Sequence, residues 1–260
     1  MAEVRIVGSQ HEAGALVANH IASHVAAASQ YTLGVATGST PLPVYTALRE
    51  RATTGFDFSS MFAFALDEYV GIAVEHPQSY HSVINREVTE PLGLDPARVH
   101  VPDGSLARAQ TAGERYEDQL RTHGGIDLQL LGIGTTGHLG FNEPGSSLAS
   151  LTRVKTLTEQ TRRDNTRFFK SQDEVPIHCV TQGLGTILRA RHLVLLAFGE
   201  GKAEALAAAV EGPVSASMPG SAIQLHPHVT VVVDEAAASK LKHADYYRWA
   251  QANLPEWHQL

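Results

Sequence analysis

Residues 127–148, DLQLLGIGTTGHLGFNEPGSSL, are the stretch that decides the fold. The stretch begins with apolar residues typical of a buried strand, and glycines then end that strand. His138 and Glu143 follow in the loop, five residues apart. Glycines allow such a loop to turn sharply and to bring backbone N–H groups close to a ligand. Because open α/β sheets keep their chemistry at the carboxyl ends of strands, we expect a functional site in this loop.

Two other interpretations of this stretch must be weighed. Residues 132–137, GIGTTG, match the dinucleotide-binding pattern G-x-G-x-x-G. That motif requires a helix at its end and an acidic residue about 20 positions later. Here the loop continues as HLGFNEP, and the later region reads Lys155-Thr156-Leu157, so the context disfavours a nicotinamide cofactor. Taken alone, His138 is more often a structural histidine in a turn than a catalyst.

Strands and helices alternate along the rest of the chain. Further buried strands are predicted at residues 4–7, 31–36, 61–66, 99–101, 192–197 and 229–233. Helices are predicted at residues 11–28, 41–51, 79–88, 105–121, 203–210 and from about 235. The alternation predicts an α/β fold with a single doubly wound, mostly parallel sheet and helices on both faces. We expect residues 1–260 to form one domain, because no linker or internal repeat interrupts this pattern.

Composition narrows the class of protein. The chain has 260 residues, 43% apolar and 18% charged, which is enough for one sizeable core. Its net charge of −7 disfavours a nucleic-acid surface, and it has no apolar run long enough to span a membrane. The single cysteine, Cys179, excludes an intrachain disulfide and favours a reducing, cytoplasmic location. Neither H-E-x-x-H nor C-x-x-C occurs, so we expect no metal site.

Several residues at the ends of predicted strands could bind an anion or act as a base. Gly38, Ser39 and Thr40 precede a predicted helix, where N–H groups and hydroxyls favour an anion, although a plain helix cap is an alternative. Asp67 directly follows a buried strand, either at the functional edge of the sheet or as the cap of a turn. Lys202 begins a helix and can meet a phosphate as a point charge.

Residues 153–170 are unusually basic. They contain six of the 20 lysines and arginines of an otherwise acidic chain. This segment is either a solvated helix face or a mobile flap that responds to an anion.

Seven segments taken together resemble one family. They are residues 36–45 (ATGSTPLPVY), 66–71 (LDEYVG), 76–82 (HPQSYHS), 137–158 (GHLGFNEPGSSLASLTRVKTLT), 161–169 (TRRDNTRFF), 201–214 (GKAEALAAAVEGPV) and 222–227 (AIQLHP). The chain resembles the glucosamine-6-phosphate deaminase family, whose superfamily also holds 6-phosphogluconolactonase. The segments span most of the chain, and DEYVG followed by GFNEP is the specific part of the match.

The resemblance implies an activity and a set of site residues. Members convert glucosamine 6-phosphate and water to fructose 6-phosphate and ammonia, without a metal or an organic cofactor. Asp67 would move a proton between C2 and C1, and His138 would assist opening of the sugar ring with Glu143 as its carboxylate partner. The phosphate of this small-molecule substrate would be bound by Gly38, Ser39, Thr40, Arg167 and Lys202.

One position departs from the family pattern. Thr136 stands two residues before His138, where the family usually has Asp or Asn. A threonine hydroxyl can form a hydrogen bond, but it cannot carry a negative charge. We therefore expect the activity to be retained, with a changed ring-opening relay.

The resemblance also concerns regulation. Some members are activated by N-acetylglucosamine 6-phosphate at an interface between the subunits of a homo-oligomer. The matching allosteric positions here are Ser146, Ser147, Arg153, Lys155 and Thr156. The mobile active-site lid of the family would cover residues 157–176, which include most of the basic segment.

Three alternatives remain at the level of sequence. The first is 6-phosphogluconolactonase, which the GHLGFNEPG and DEYVG segments disfavour. The second is a non-catalytic sugar-phosphate sensor, which would carry a DNA-binding helix-turn-helix ahead of this domain, whereas this chain begins with a strand. The third is a deaminase for another amino-sugar phosphate, such as galactosamine 6-phosphate.

Overall fold

The computed structural model describes residues 3–255. Ten strands lie in this part of the chain: β1 (Glu3–Val7), β2 (Tyr31–Val35), β3 (Met61–Ala65), β4 (Asp67–Tyr69), β5 (Val99–His100), β6 (Leu128–Gly132), β7 (Arg153–Thr156), β8 (His178–Thr181), β9 (His192–Ala197) and β10 (Val229–Asp234). Seven of them form one sheet in the order β1-β10-β9-β6-β2-β3-β5. Every neighbouring pair in this sheet is parallel. The predicted parallel sheet is confirmed.

The α-helices surround this sheet. They are α1 (Gln10–Ala27), α2 (Leu42–Thr53), α3 (Tyr80–Ile84), α4 (Glu90–Leu92), α5 (Ala109–Thr122), α6 (Glu159–Asn165), α7 (Leu184–Ile187), α8 (Ala203–Glu211), α9 (Glu235–Ala238) and α10 (Ala244–Ala252). A π-helical turn, Asn85–Thr89, joins α3 to α4 within the segment that the sequence predicts to be helical. Among residues 3–255, no helix combines the length and the apolar character that crossing a bilayer requires.

Alternation along the strands places one hydrophobic core on each face of the sheet. On β9, Leu193 and Leu195 pack in one core, whereas Val194 and Leu196 pack in the other. The first core is completed by residues of α5, α7 and α8, and the second by residues of α1 and α2. Strands buried on both faces are continuously apolar, because successive side chains point to opposite faces. This is why the predicted strands are mostly apolar, with at most one polar residue in each.

A second sheet was not predicted. Strands β4, β8 and β7 form a three-stranded antiparallel sheet, in which Asp67 is paired with Thr181 and Arg153 is also paired with Thr181. Each of these strands has four residues or fewer, so alternation of apolar and polar residues gives little signal. The small sheet holds Asp67 at the end of β3.

The helix predicted at residues 105–121 begins four residues later, at Ala109. The side chain of Asp103 accepts a hydrogen bond from the backbone N–H of Ser105 at 2.9 Å. Such local bonds favour a turn over helix, which explains the later start.

The direction of strand addition reverses between β2 and β6. After β2 the chain adds β3 and β5 on one side, and it then adds β6, β9 and β10 on the other. The loops that follow β2 and β6 therefore separate and leave a crevice at the carboxyl edge. Such switch points are where open α/β sheets bind ligands.

Candidate active site

A cavity of about 640 Å³ lies at this switch point. Its walls come from the loops after β2 and β6, from the β3–β4 junction, and from segments around α3, α6 and the start of α8. Its lining includes Gly38, Ser39, Thr40, Asp67, Tyr69, Gln78, Tyr80, His138, Gly140, Phe141, Thr161, Asn165, Arg167, Phe169 and Lys202. Seven of the residues singled out from the sequence therefore share one cavity. Thr136 and Glu143 do not line the cavity, but both lie next to Nδ1 of His138.

The loop of residues 36–41 follows β2 and leads into α2. We name it the anion loop after its predicted role. Gly38 has a φ of 87°, a left-handed conformation that glycine adopts without strain. The hydroxyl of Tyr45 donates to the carbonyl of Ala36 at 2.7 Å and accepts from its N–H, which anchors the loop on α2. Pro41 directly precedes the helix instead of being its first residue. Ser39 and Thr40 thus face the cavity at the amino end of a 12-residue helix, where the helix dipole favours an anion.

Two cations reach the same cavity from other elements. Lys202 lies in a short 3₁₀ turn after β9, and Arg167 lies in the segment after α6. Burial lowers the pKa of the Lys202 ammonium, and the positive charge of Arg167 lowers it further. Because the two like charges repel each other, an anion bound between them would be stabilised by both.

Asp67 is the buried acid of the cavity. Only 5% of its surface is exposed. Burial raises the pKa of Asp67 to about 8, and the adjacent negative charge of Glu68 adds to the rise. A carboxyl group that titrates near neutrality can take up and return a proton at working pH.

The loop after β6 passes very close to Asp67. Gly140 has a φ of 54°, and a Cβ at this position would lie 3.1 Å from Oδ2 of Asp67 and 3.1 Å from the hydroxyl of Thr181. A glycine is therefore needed here both for its conformation and for the space that it leaves to the carboxylate.

Glu68, the neighbour of Asp67, has a structural role that the sequence did not reveal. Its two carboxylate oxygens accept hydrogen bonds from the backbone N–H groups of Tyr69, Tyr80 and His81, at 2.8, 2.9 and 3.0 Å. Glu68 thereby ties the start of α3 to β4. These contacts fix the backbone of β4, the strand that begins with Asp67.

His138 and Glu143 meet as the sequence suggested. Nδ1 of His138 lies 3.6 Å from Oε2 of Glu143 and 2.9 Å from the hydroxyl of Thr136. The imidazole packs against the backbone of Gly134, where a Cβ would overlap the ring. Burial raises the pKa of the Glu143 carboxyl, but its contacts with His138 and with the hydroxyls of Thr161 and Thr158 outweigh burial and hold the pKa below its ordinary value. Glu143 is therefore an ionised carboxylate, which can accept a hydrogen bond from a protonated Nδ1 of His138.

An aromatic wall closes the side of the cavity next to Asp67. The rings of Tyr69, Tyr80 and Phe141 lie 4.9 to 5.9 Å apart, and the ring of Phe169 meets Tyr69 edge-on at 5.8 Å. The amide of Asn165 donates to the hydroxyl of Tyr69 at 3.0 Å. Sequence reasoning missed this wall, because isolated aromatic residues in four separate segments carry no pattern.

The five positions matched to an allosteric site lie away from the cavity lining. Arg153, Lys155 and Thr156 are on β7, the edge strand of the small sheet, and Ser146 and Ser147 follow Glu143 in the loop. The guanidinium of Arg153 donates to Oδ1 of Asn142 at 2.7 Å, which connects β7 to the loop that carries His138. An effector at these positions stays a prediction.

Comparison with known sequences identifies relatives along nearly the whole chain. A family model described as glucosamine-6-phosphate isomerases/6-phosphogluconolactonase matches residues 8–232. A glucosamine-6-phosphate deaminase of Streptomyces coelicolor is 59% identical over 257 residues, which cover 98% of each chain. A glucosamine-6-phosphate deaminase of Bifidobacterium longum is 54% identical over 267 residues, which cover 99% of each chain.

Solved structures show the same relationship. A monomeric glucosamine-6-phosphate deaminase superposes with a TM-score of 0.89 at 38% identity, over 92% of this chain and all of that one (100%). A 6-phosphogluconolactonase from Trypanosoma cruzi superposes with a TM-score of 0.75 over 93% of this chain and 97% of that one. Its identity is 18%, so this second likeness concerns the fold alone. The chain belongs to the glucosamine-6-phosphate isomerase/6-phosphogluconolactonase family.

Proposed function

We propose that the protein is a glucosamine-6-phosphate deaminase, which converts glucosamine 6-phosphate and water to fructose 6-phosphate and ammonia. The observation that carries the proposal is the buried carboxyl of Asp67, which faces the same cavity as the cationic pair Arg167 and Lys202. The near-full-length relatives that carry this name support the same substrate. The proposal includes a cytoplasmic location, which the single cysteine, Cys179, supports.

In the proposed reaction the residues divide the work by their chemistry. The anion loop and the cationic pair bind the phosphate and place the sugar. His138, supported by Glu143 and Thr136, moves a proton at the ring oxygen as the sugar ring opens. Asp67 then takes the proton from C2 and returns it to C1, which converts the aldose skeleton into the ketose skeleton. Loss of ammonia from C2, with water, completes the reaction without a metal or an organic cofactor.

The proposal predicts matched products. Glucosamine 6-phosphate, incubated with the protein and a metal chelator, is expected to give ammonia and fructose 6-phosphate in equal amounts. Both products are measured by coupled assays, with glucosamine lacking the phosphate as a control that is expected to react poorly. Hydrolysis of 6-phosphogluconolactone without ammonia release would instead make the chain a lactonase, and ammonia release from galactosamine 6-phosphate alone would change the substrate.

The raised pKa of Asp67 predicts that kcat/KM falls at acid pH, which gives the pH profile an acid limb. A base must be deprotonated to act, so kcat/KM is expected to rise with pH up to about 8 and then level off. Below pH 7 the rise is expected to approach tenfold per pH unit, because one proton inactivates one carboxylate. The pH profile of kcat/KM measures this limb.

Ionisation of the substrate phosphate must be separated from that of Asp67. The inhibition constant of an alditol 6-phosphate, which carries the phosphate but no amine or carbonyl group, is measured over the same pH range. A kcat/KM that stays flat from pH 6 to pH 8 after this correction would remove Asp67 as the titrating base.

The tight contact between Gly140 and Asp67 predicts a strong effect of a single methyl group. Gly140→Ala is expected to lower kcat at least tenfold, because the new Cβ forces Oδ2 of Asp67 or the backbone of the loop to move. Gly145→Ala is the matched control, since Gly145 also has a positive φ but a Cβ there meets nothing within 4 Å. Equal kcat values for the two variants would show that space at Asp67 does not matter.

We further propose that residues 157–176 form the lid of a single catalytic domain. Asn165, Arg167 and Phe169 of this segment line the cavity. The guanidinium of Arg162 donates to the carbonyls of Gln172 and Val175 at 2.8 and 3.0 Å, so the segment is held together internally. These contacts support movement of the segment as a unit when a phosphate binds to Arg167.

A further inference from the structure

Glu143 contacts two threonine hydroxyls that have no part in the proposed reaction. The hydroxyl of Thr161 donates to Oε1 of Glu143. The hydroxyl of Thr158 lies 3.2 Å from the same Oε1 and 3.1 Å from the hydroxyl of Thr161, so it can donate to either. Thr158 is the N-cap of α6, and its hydroxyl accepts the backbone N–H of Thr161 at 3.1 Å. Thr161 is 3% exposed and lines the cavity, so this hydroxyl is fixed in a packed site.

The two threonine hydroxyls contact Oε1 of Glu143, so Oε2 is the oxygen that faces His138. Oε2 of Glu143 is buried and has no hydrogen-bond partner within residues 3–255, and it lies 3.6 Å from Nδ1 of His138. A buried carboxylate oxygen without a donor is costly, so Oε2 favours a proton on Nδ1, which the hydroxyl of Thr136 at 2.9 Å can accept as well. The orientation of the carboxylate therefore selects the ring tautomer, provided that Oε1 stays anchored.

We propose that Thr161 is a positioning residue, whose hydroxyl holds Glu143 so that Oε2 faces the His138 ring. Its effect on turnover rests on the proposed deaminase function, whereas its effect on the ring is a property of the protein without substrate. Thr161 acts through Glu143 and is not itself required to touch the reacting atoms. Mutation of groups that orient metal-ligating histidines changes metal affinity or activity by about 10–100-fold, and we expect the lower end of that range for Thr161.

This arrangement also connects the two ends of the substrate. Thr158 and Thr161 belong to the same segment as Arg167, which faces the cavity as one of its two cations. A displacement of α6 would remove both donors from Glu143 and would move Arg167 as well. Binding of a phosphate to Arg167 is therefore expected to stabilise the alignment of His138.

The first test measures turnover. Thr161→Val, which removes the hydroxyl and keeps the shape, is expected to lower kcat about tenfold with less than a threefold change in KM. Thr161→Ser is expected to restore kcat. The matched control is Thr122→Val on α5, since the hydroxyl of Thr122 donates to the carbonyl of Asp118 at 2.8 Å and Thr122 belongs to neither the cavity lining nor the proposed lid. If Thr161→Val does not fold, Thr161→Ala removes the same hydroxyl without placing a methyl against Glu143.

A double-mutant cycle shows whether Thr161 acts through Glu143. In a Glu143→Gln background, Thr161→Val is expected to change kcat by less than twofold, because the carboxylate that it positions is gone. A further tenfold loss in that background would overturn the proposal. So would a kcat of Thr161→Val equal to that of Thr122→Val.

The second test needs no turnover. Nitrogen-15 NMR of the histidine rings is expected to show His138 in the wild type as one tautomer with the proton on Nδ1, and as a mixture in Thr161→Val. Unchanged His138 signals would overturn the positioning role. If the wild type releases no ammonia but its His138 signals respond to Thr161→Val and not to Thr122→Val, the proposed function fails and the positioning role stands.

Discussion

Asp67→Asn is expected to lower kcat by about 10²–10⁴-fold, the usual contribution of a positioned acid–base group. Asparagine fills the same space but cannot take a proton from C2. Binding of glucosamine 6-phosphate is expected to stay measurable, because the residues proposed to bind the phosphate lie on other elements of the cavity. Steady-state kinetics and calorimetric titration of the variant measure the two effects separately.

The same substitution has an expected effect on stability that serves as its control. Because folding raises the pKa of Asp67 from 3.8 to about 8, the folded protein loses stability as the pH rises from about 4 to about 8, since over this range the unfolded chain releases a proton that the folded chain retains. Asp67→Asn removes this cost, so its Tm is expected to exceed that of the wild type at pH 8 and to approach it at pH 4. A variant with comparable turnover, or with a Tm lowered at pH 8, contradicts the account of Asp67.

Lys202→Ala is expected to raise KM by about 10–100-fold while kcat falls less than threefold. A hydrogen bond to a charged group contributes about 1.5–3 kcal/mol, and the phosphate contact is made equally in the ground state and in the transition state. Loss of the ammonium therefore weakens binding more than it slows chemistry. Initial-rate kinetics with glucosamine 6-phosphate give both constants.

A second lysine provides the control for Lys202. Lys240 is exposed, lies 3.6 Å from Glu204, and does not line the cavity. Lys240→Ala removes the same charge from the protein and is expected to leave KM unchanged. If both variants show the wild-type KM, Lys202 has no part in phosphate binding.

The sequence predicted the central sheet because its strands carry a strong local signal. The apolar runs at β2, β3, β6, β9 and β10 are buried on both faces, and turn-forming residues and helices separate them. Helix boundaries were predicted less accurately, since the start of α5 depends on a hydrogen bond that the side chain of Asp103 accepts from the backbone N–H of Ser105. The small sheet could not be predicted, because its register depends on contacts between residues more than 100 positions apart.

The site was predictable where a residue type has a distinctive place in the chain. Asp67, His138 and Lys202 each follow a buried strand, so the edge of the sheet gathers them into one cavity. Glu68 could not be recognised as an anchor for α3, because its partners are backbone N–H groups. Thr161 could not be recognised either, because threonines are frequent in helical caps and only the folded chain brings this one to Glu143.

The departure at Thr136 fits the geometry of the pair that it joins. Its hydroxyl lies 2.9 Å from Nδ1 of His138, while the carboxylate of Glu143 lies 3.6 Å away. A neutral hydroxyl at this place can accept the ring N–H and leaves Glu143 as the negative charge beside the ring. The hydrogen bond is thus retained at Thr136 without a second carboxylate.

The most direct test of the account follows the hydrogens at C1 of fructose 6-phosphate. Fructose 6-phosphate and ammonium are incubated with the protein in D₂O, and the product is examined by NMR. Because one carboxyl group faces the sugar from one side, the account predicts that one of the two C1 hydrogens exchanges completely while the other stays in place. Asp67→Asn is expected to exchange neither. Exchange of both C1 hydrogens in the wild type, or of either one in Asp67→Asn, would contradict a single buried base at Asp67.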